Sequence, residues 1–558
     1  MNVRLKTLMK ADLIDDLDYH FSQFIVRKDL RPLTSEQLSI VEMATALISR
    51  QIATGNICLG RDDIKKIKED FGIYSSSVPT WEEIVDVCGK AQWCCAPGED
   101  RPVVFDGKRF YLHRYFSFES DLAGLIKKMS KDKSPSPELK SRFTVITGGP
   151  GTGKTTRIAK LVSLFWKKDM SLDIVLAAPT GKAASRMDEA LFMAVERLKE
   201  QLDDIVADKI LKLKGSSIHR LLGWTSKPGV FRQHPENPLN ADVLIVDEAS
   251  MVDLALMSRL VGALKKDALL ILLGDKDQLT SVEAGNVLGD IYLAAKKGFI
   301  DPECVIELTE SFRFNSDSGI GLLADSINNS CNVKELTEVF EANDDGSIEL
   351  LSGGFSNEVS EISKRIEKNY EALFKNNSFK EYFSILDSFK VLSSSRKGPG
   401  GIEEINKLAE RIFKRKGLIP DNDLWYIGRP VMVLKNSYDL ELFNGECGVV
   451  FEVNGARRVV FRKGQNDFRT YPVSVLPEVE TVYAMTVHKS QGSEYDEVMF
   501  IIPEREIAIL SKELVYTAVT RARKKISIVS GAEKLAKSLS RSAARSSGLS
   551  ERLGENRF

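Results

Sequence analysis

The sequence predicts an α/β chain built on two parallel sheets, with a small β-rich insert and a mainly helical N-terminal domain. Three observations predict it. From about residue 143, short runs that are apolar throughout ("FTVITGG", "DIVLAAPTG", "DVLIVDEAS", "ALLILLGDKDQL") alternate with helical stretches. A strand with no polar face suits a parallel sheet covered on both sides. A second such series ("FKVLSSSR", "EVMFIIP", "KKISIVSG") follows "CVIELTESFRF", and between its members lies a stretch of alternating strands with Asn-Gly and Gly-Gln turns. Those turns predict a small β domain inserted into the second α/β unit.

The 558 residues are enough for three or four domains at roughly 150 residues each. The division predicted is a helical domain over 1–125, a Lys/Ser/Pro-rich linker over 126–142, and a first α/β unit over 143–303. A second α/β unit covers 304–428 and 480–535, with the β insert over 429–479 and a tail over 536–558. Within the first segment, Thr34 and Gln37 have capping-box spacing ahead of Leu38, Val41, Ala44, Leu47 and Ile48 along one helical face, and Gly55 is a stop.

A net charge of −1 excludes a chain that coats nucleic acid through overall positive charge, so any such site must be a local groove. No apolar run is long enough to span a bilayer, and acidic residues stand where a signal peptide would be apolar. The seven cysteines lack paired spacing. The nearest group, Cys88, Cys94 and Cys95, reads as reduced thiols of a cytoplasmic protein rather than a metal site.

Residues Gly148, Gly149, Pro150, Gly151, Thr152, Gly153, Lys154 and Thr155 fit the phosphate-loop pattern G-x-x-x-x-G-K-[ST], after a strand and before a helix. Glycines let backbone N–H groups close around phosphates, and the helix N-terminus adds positive potential. Lys154 is expected to reach the terminal phosphates, and the hydroxyl of Thr155, followed by Thr156, to meet Mg²⁺. "LIVDEAS" sets Asp247 and Glu248 at a strand end, where Asp247 suits binding of Mg²⁺, directly or through its water, and Glu248 an attacking water, favouring nucleotide hydrolysis over transfer to an acceptor. "LLGDKDQL" adds Asp275, Asp277 and Gln278, the carboxamide suited to sensing the γ-phosphate. "ESFRF" and "YTAVTRARKK" offer Arg313 and Arg521. A phosphate loop in one unit and arginines in the other make a cleft that closes on nucleotide and opens after hydrolysis.

What the motion acts on is suggested by "PTGKAASRM" with Thr180, Lys182 and Ser185, by "SSIHRLLGW" with His219, and by "AMTVHKSQGSEYDEV" with Thr486, His488, Lys489 and Ser490. Hydroxyls, His and Lys at strand ends suit phosphodiester contact, where register matters and base identity does not. Phe312, Trp224 and Tyr495 are candidate stacking platforms, although core packing is the commoner use of such residues.

In this order, over nearly all of residues 140–535, these segments resemble the motifs of superfamily-one DNA helicases. Within them they are similar to the RecD (alpha) subunits of the bacterial RecBCD, or exonuclease V, helicase–nuclease. "HRLLG", "NPLNADVLIVDEASMVDL", "ESFRFNSDSGIG", "ELVYTAVTRARKKISI" and the tail "ARSSGLSERL" carry the resemblance.

The resemblance implies two RecA-like motor domains, the first with a small hairpin insert near 222–240 and the second with a β-barrel insert, and an ATP- and Mg²⁺-dependent motor. That motor would move 5′→3′ on single-stranded DNA from double-stranded ends, in double-strand break repair and homologous recombination. It implies RecB-type and RecC-type partners in a heterotrimer, the N-terminal domain docking on the RecC-type subunit. It gives Lys154, Thr155, Asp247, Glu248, Gln278, Arg313 and Arg521 to the ATP site and Glu494 to the ribose. One feature departs from the helicase pattern: no Gln stands shortly before the phosphate loop, the nearest being Gln92, so the adenine edge lacks its usual reader. The rival reading is a structural or regulatory ATP-binding subunit without productive unwinding. A nuclease is disfavoured because no carboxylate cluster with a nearby Lys lies outside the ATP site.

Overall fold

The computed structural model describes residues 3–134, 138–225, 229–312, 318–329, 332–375, 378–437, 439–464, 467–505 and 510–555. The α/β expectation holds in its essentials. Six parallel strands form the first sheet in the order Val305–Leu308, Phe143–Gly148, Leu269–Gly274, Val243–Val246, Ile174–Ala178, Gly215–Ser217. Five more form a second parallel sheet, ordered Ile348–Leu351, Ala522–Val529, Tyr495–Ile501, Phe389–Ser393, Ala484–Thr486. The central strands Phe143–Gly148, Leu269–Gly274 and Val243–Val246 are buried along their whole length. Helices close both faces, as apolar strands of this kind require.

Two of the expected boundaries move. The strand Val305–Leu308, assigned from sequence to the second unit, pairs in parallel with Phe143–Gly148 and completes the first sheet. A run of four residues carries no signal of which sheet it joins, because that choice is made by pairing. The stretch expected to be a linker from residue 126 instead continues the helix His113–Lys131. Ile126 and Met129 on that helix are buried against the first sheet's helical layer.

Before it lie the helices Val3–Lys10, Asp16–Lys28, Ser35–Ala53, Arg61–Phe71 and Trp81–Cys88, together with a four-stranded sheet of short strands. The cap expected at Thr34 forms, with Gln37 N–H donating to the Thr34 hydroxyl at 3.2 Å and Gln37 returning its carboxamide oxygen to Thr34 N–H. Cys88, Cys94 and Cys95 are buried thiols, and burial pushes Cys94 up to about 12. No cluster of metal-ligand type occurs among the described residues, and no described helix is long and apolar enough to cross a membrane.

The insert contains Pro430–Val433, Cys447–Val453, Ala456–Arg462, Phe468–Pro472 and Val479–Thr481 in one antiparallel sheet. Its pairings run as an open ladder, with Phe468–Pro472 and Val479–Thr481 at the two edges. Near 222–240, antiparallel bridges pair Trp224 with Phe231 and His234 with Asn237.

The C-terminal tail returns across the molecule to the N-terminal segment. Leu549 and Leu553 enter the core shared by helix His113–Lys131 and the first sheet. Glu119, fully buried on that helix, accepts from Arg552 Nε at 2.6 Å, and from Ser547 Oγ and Gly548 N at 3.0 Å each. The Arg552 guanidinium lies over the Phe116 ring at 4.2 Å and bonds Asp106 at 3.1 Å. Removing one partner of such a pair strands the other in low dielectric. Arg552→Ala is therefore expected to cost about 3–5 kcal/mol of folding free energy, read from urea unfolding.

Candidate nucleotide and nucleic-acid sites

The phosphate loop leaves the C-terminal end of the strand Phe143–Gly148 and runs into the helix Lys154–Lys168. Gly151 (φ +78°) and Gly153 (φ +81°) adopt the left-handed conformation, which is why glycine stands there. A Cβ on Gly148 would come within 2.8 Å of the Leu308 carbonyl, so that position has no room for a side chain. Thr152 Oγ1 donates to Gly149 O at 2.9 Å, and Phe312 N–H donates to Gly151 O at 2.9 Å. The Lys154 ammonium folds back on the loop, donating to Gly148 O (2.6 Å) and Gly149 O (2.9 Å).

Facing it are three carboxyls at strand ends, Asp247 and Glu248 half-buried and Asp275 buried. Asp247 accepts from the N–H of Glu248 at 2.9 Å, and Glu248 itself has φ +52°, a costly backbone for a residue with a side chain. Burial pushes the Asp247 carboxyl above its ordinary range, against the Glu248 N–H and Lys154. Burial also raises Glu248, helped by Asp247 and opposed by Arg521 and Lys154. Asp275 is raised by burial too, opposed first by Lys154. The lysine is thus the shared counter-charge of all three carboxyls.

Gln278 is buried and donates from Nε2 to Asp275 Oδ2 at 3.0 Å. The next residue reaches the second unit: Leu279 N–H donates to Thr517 Oγ1 (2.9 Å) and Leu279 O accepts from Gln491 Nε2 (3.0 Å). Tyr516 OH donates to Asp275 Oδ2 at 3.2 Å. Arg521 is buried with its guanidinium on the backbone carbonyls of Thr517 (3.1 Å) and Ser493 (3.2 Å).

The cleft between the units holds about 1110 Å³. Its lining includes residues 150–157, Asp247, Glu248, Gln278, Gly492, Glu494, Arg521 and Arg523. Thus Lys154, Thr155, Thr156, Asp247, Glu248, Gln278, Glu494 and Arg521 converge on one cavity, whereas Arg313 lies outside the described residues. Arg157 Nε is buried at this site without a hydrogen-bond partner among the described residues. An unsatisfied donor beside a glycine loop and a lysine fits an anionic ligand, and the half-buried Asp247 carboxyl fits a cation.

The residues expected at a phosphodiester backbone divide. Thr180 caps the helix Gly181–Leu198, accepting from Ala183 N–H at 3.1 Å. Lys182 follows it, half-buried beside the insert, and burial brings its ammonium down to about 8. His219 is exposed and tilts against Phe231, with ring centroids 6.0 Å apart. Thr486 opens the turn Val487–Ser490, with His488 half-buried and Lys489 bonded to Asn444 at 2.7 Å. Ser490 is fully buried and donates to Val487 O at 2.7 Å, so in this conformation it serves the turn rather than a surface. Of the candidate platforms, Phe312 is 80% exposed, Trp224 is 49% exposed, and Tyr495 is core. Gln92 is exposed and is not among the described residues lining the cleft.

Sequence reasoning missed Tyr516, Thr517 and Gln491, which bond the strand-end loop from the opposite unit. "VYTAVTRAR" and "KSQGSE" flank residues that it did select, but the partners are more than 200 positions away.

Family models match three parts of the chain: the RecBCD enzyme subunit RecD, N-terminal domain, over residues 10–111; an AAA domain over 133–284; and the UvrD-like helicase C-terminal domain over 481–529. The chain is 32% identical over 575 residues to the RecBCD enzyme subunit RecD of Mycolicibacterium smegmatis, covering 97% of this chain and 98% of that protein. It is 30% identical over 647 residues to RecD of Haemophilus influenzae, with 98% and 99% covered. Among solved structures, Pif1 from Bacteroides bound to single-stranded DNA aligns at a TM-score of 0.38 and 17% identity, over 74% of this chain and 92% of that one.

The raised Glu248 carboxyl gives a test of the site's electrostatics. A carboxyl raised in the folded state binds protons more tightly than the unfolded chain does. Its charged form therefore costs stability as pH rises through the folded value. Glu248→Gln is expected to raise the melting temperature of the nucleotide-free protein at neutral pH. That gain should vanish as pH falls below the ordinary carboxylate range, where both states are protonated. Calorimetry across pH reads it.

Proposed function

The chain belongs to the RecBCD enzyme subunit RecD family, and from that membership we propose that it works as an ATP-dependent DNA helicase moving 5′→3′ along single-stranded DNA. The observation that carries the reading is the shared cleft: a phosphate loop from the first sheet and Arg521 from the second face one cavity, bridged by the loop after Gln278. Opening or closing that cleft moves one sheet against the other, which is the output a translocating motor needs.

In this proposal the loop N–H groups and Lys154 bind the phosphates of ATP, while Thr155 and Asp247 hold Mg²⁺. Bound ATP with its metal supplies a polarised γ-phosphate. Glu248 orients water and takes its proton, its raised carboxyl suiting a group that must be protonated in the cycle. Gln278 bonds the water or the γ-phosphate position, Arg521 and Arg313 neutralise charge there, and Glu494 holds the ribose. Thr180, Lys182, His219, Thr486, His488 and Ser490 form the proposed track for the DNA backbone, Ser490 from within its turn. Opening one base-pair step costs about 1.4 kcal/mol on average. A fork therefore frays roughly one time in ten, and a one-step ratchet that captures the frayed base is sufficient.

The proposed context is a heterotrimer with RecB-type and RecC-type subunits, acting in the cytoplasm on double-stranded DNA ends in double-strand break repair and homologous recombination. Residues 1–125 are the proposed docking domain for the RecC-type subunit. The two parallel sheets are the proposed RecA-like motors, and the antiparallel sheet near 429–479 is the proposed counterpart of the family's β-barrel.

Lys154→Gln is expected to abolish single-strand-stimulated ATP hydrolysis while the chain still folds and assembles, because it removes a charge at a solvent-reached cleft. Turnover near wild type in a phosphate-release assay would overturn the site assignment. Unwinding is expected to need a 5′ single-stranded tail, and a preference for 3′-tailed duplexes in strand displacement contradicts the polarity.

A further inference from the structure

The tail carries a feature that the nucleotide site does not use. Its first residues are tied to the second unit: Ser542 Oγ and Ala543 N–H donate to the Glu513 carboxylate at 2.9 and 2.8 Å, and Lys512 N–H donates to Arg541 O at 2.9 Å. Glu513 lies on the helix Lys512–Val519, which carries Tyr516 and Thr517. By Ser546 the chain is already bonded to the N-terminal segment. Its N–H donates to Asn56 Oδ1 (2.8 Å), and its carbonyl accepts from Ile57 N–H (2.8 Å).

Between these anchors stands Arg545. Its guanidinium donates to Ser281 O (2.6 Å), to Gly285 O (2.9 Å) and to Glu283 O. All three carbonyls belong to the loop that starts at Gln278. Ser281 Oγ turns inward to Glu283 O at 2.8 Å, and Gly285 N–H donates to Gly55 O at 2.9 Å. Gly55 (φ +87°) packs directly on the guanidinium: a Cβ there would stand 2.8 Å from Arg545 Cζ. The loop 278–285 is therefore gripped at both ends. Leu279 is held by Thr517 and Gln491 of the second unit, and residues 281–285 are held by Arg545 and Gly55.

We propose that Arg545 is a positioning residue for ATP turnover: by fixing three carbonyls of the 281–285 loop it holds Gln278 in place, so that the C-terminal tail sets the rate of hydrolysis. The inference rests on the assignment of Gln278 to the γ-phosphate. A planar guanidinium suits the task because one group reaches three acceptors in fixed geometry, which an ammonium does not. Lys154 and the phosphate loop do not touch Arg545, so nucleotide affinity should be spared.

The test is Arg545→Ala in the full chain, assayed for ATP hydrolysis with saturating single-stranded DNA. The expected result is a kcat lower by about tenfold at unchanged KM for ATP. Arg545→Lys should recover little of it. Leu553→Ala, which loosens tail packing but leaves the Arg545 contacts, should lower the melting temperature without changing kcat. A wild-type kcat in Arg545→Ala, or a rise in KM with kcat intact, overturns the proposal. If Arg545→Ala does not fold, Arg545→Lys carries the same test, and wild-type kcat there overturns it. Absence of stimulated hydrolysis in the wild-type chain instead overturns the helicase reading itself.

Discussion

Asp275 is a carboxyl buried at a strand end, and burial of a carboxyl without partners is prohibitive, so its partners set what surrounds it. They come from both sides of the cleft. Gln278 Nε2 and the Asp277 N–H donate from its own loop, and Tyr516 OH donates from the helix of the second unit. Lys154 provides the main opposing charge. Satisfying this one group ties the phosphate-loop lysine, the Gln278 carboxamide and the second unit's helix to a common point. A change in any of them is felt by the others, because each hydrogen bond lost leaves a buried polar atom unpaired at about 1–3 kcal/mol.

The same logic explains where the cations sit. Lys154 and Arg521, the two cations most directly facing the carboxyls, rest on backbone carbonyls: Gly148 and Gly149 for one, Thr517 and Ser493 for the other. Neither forms its strongest possible contact there, since a charge-assisted bond to an anion exceeds one to a neutral carbonyl. An anion entering the cleft competes for both side chains at once, from opposite sheets. One of the hydrogen bonds that Arg521 gives up, to the Thr517 carbonyl, lies on the helix whose Thr517 hydroxyl holds Leu279. Charge in the cleft and the position of the loop after Gln278 are therefore mechanically linked.

Much of this was legible in the sequence because it is written in contiguous residues. The phosphate loop, the Asp247–Glu248 pair and Gln278 each sit where an apolar strand ends, and strand periodicity with glycine chemistry suffices to find them. What was not legible depends on pairing across the chain. The strand Val305–Leu308 carries the same local signal whichever sheet it joins. Helix His113–Lys131 runs through a Lys/Ser-rich stretch because Ile126 and Met129 find a core there, a tertiary fact that overrides composition. Ser490 looked like a surface hydroxyl by company, yet the turn draws it inward. Tyr516, Thr517 and Gln491 are ordinary residues until Asp275 and Leu279 arrive opposite them.

The tail adds a constraint of a different kind. Its contact with the N-terminal segment is built on buried charge, with Glu119 and Arg552 at the centre and Arg109 paired with Glu551 at 2.6 Å at the edge. Buried ion pairs repay little of their desolvation cost, so an apolar contact of equal area would hold the tail at least as firmly. What the polar contact adds is register: Ser547 Oγ, Gly548 N–H and Arg552 Nε must all meet one carboxylate, and a slip by one residue leaves it unsatisfied. Register at Glu119 fixes the spacing back to Ser546 and Arg545, and hence the depth at which Arg545 enters the 281–285 loop. An apolar tail would tolerate sliding; this one does not, and the N-terminal segment, the tail and the loop after Gln278 consequently hold one fixed geometry.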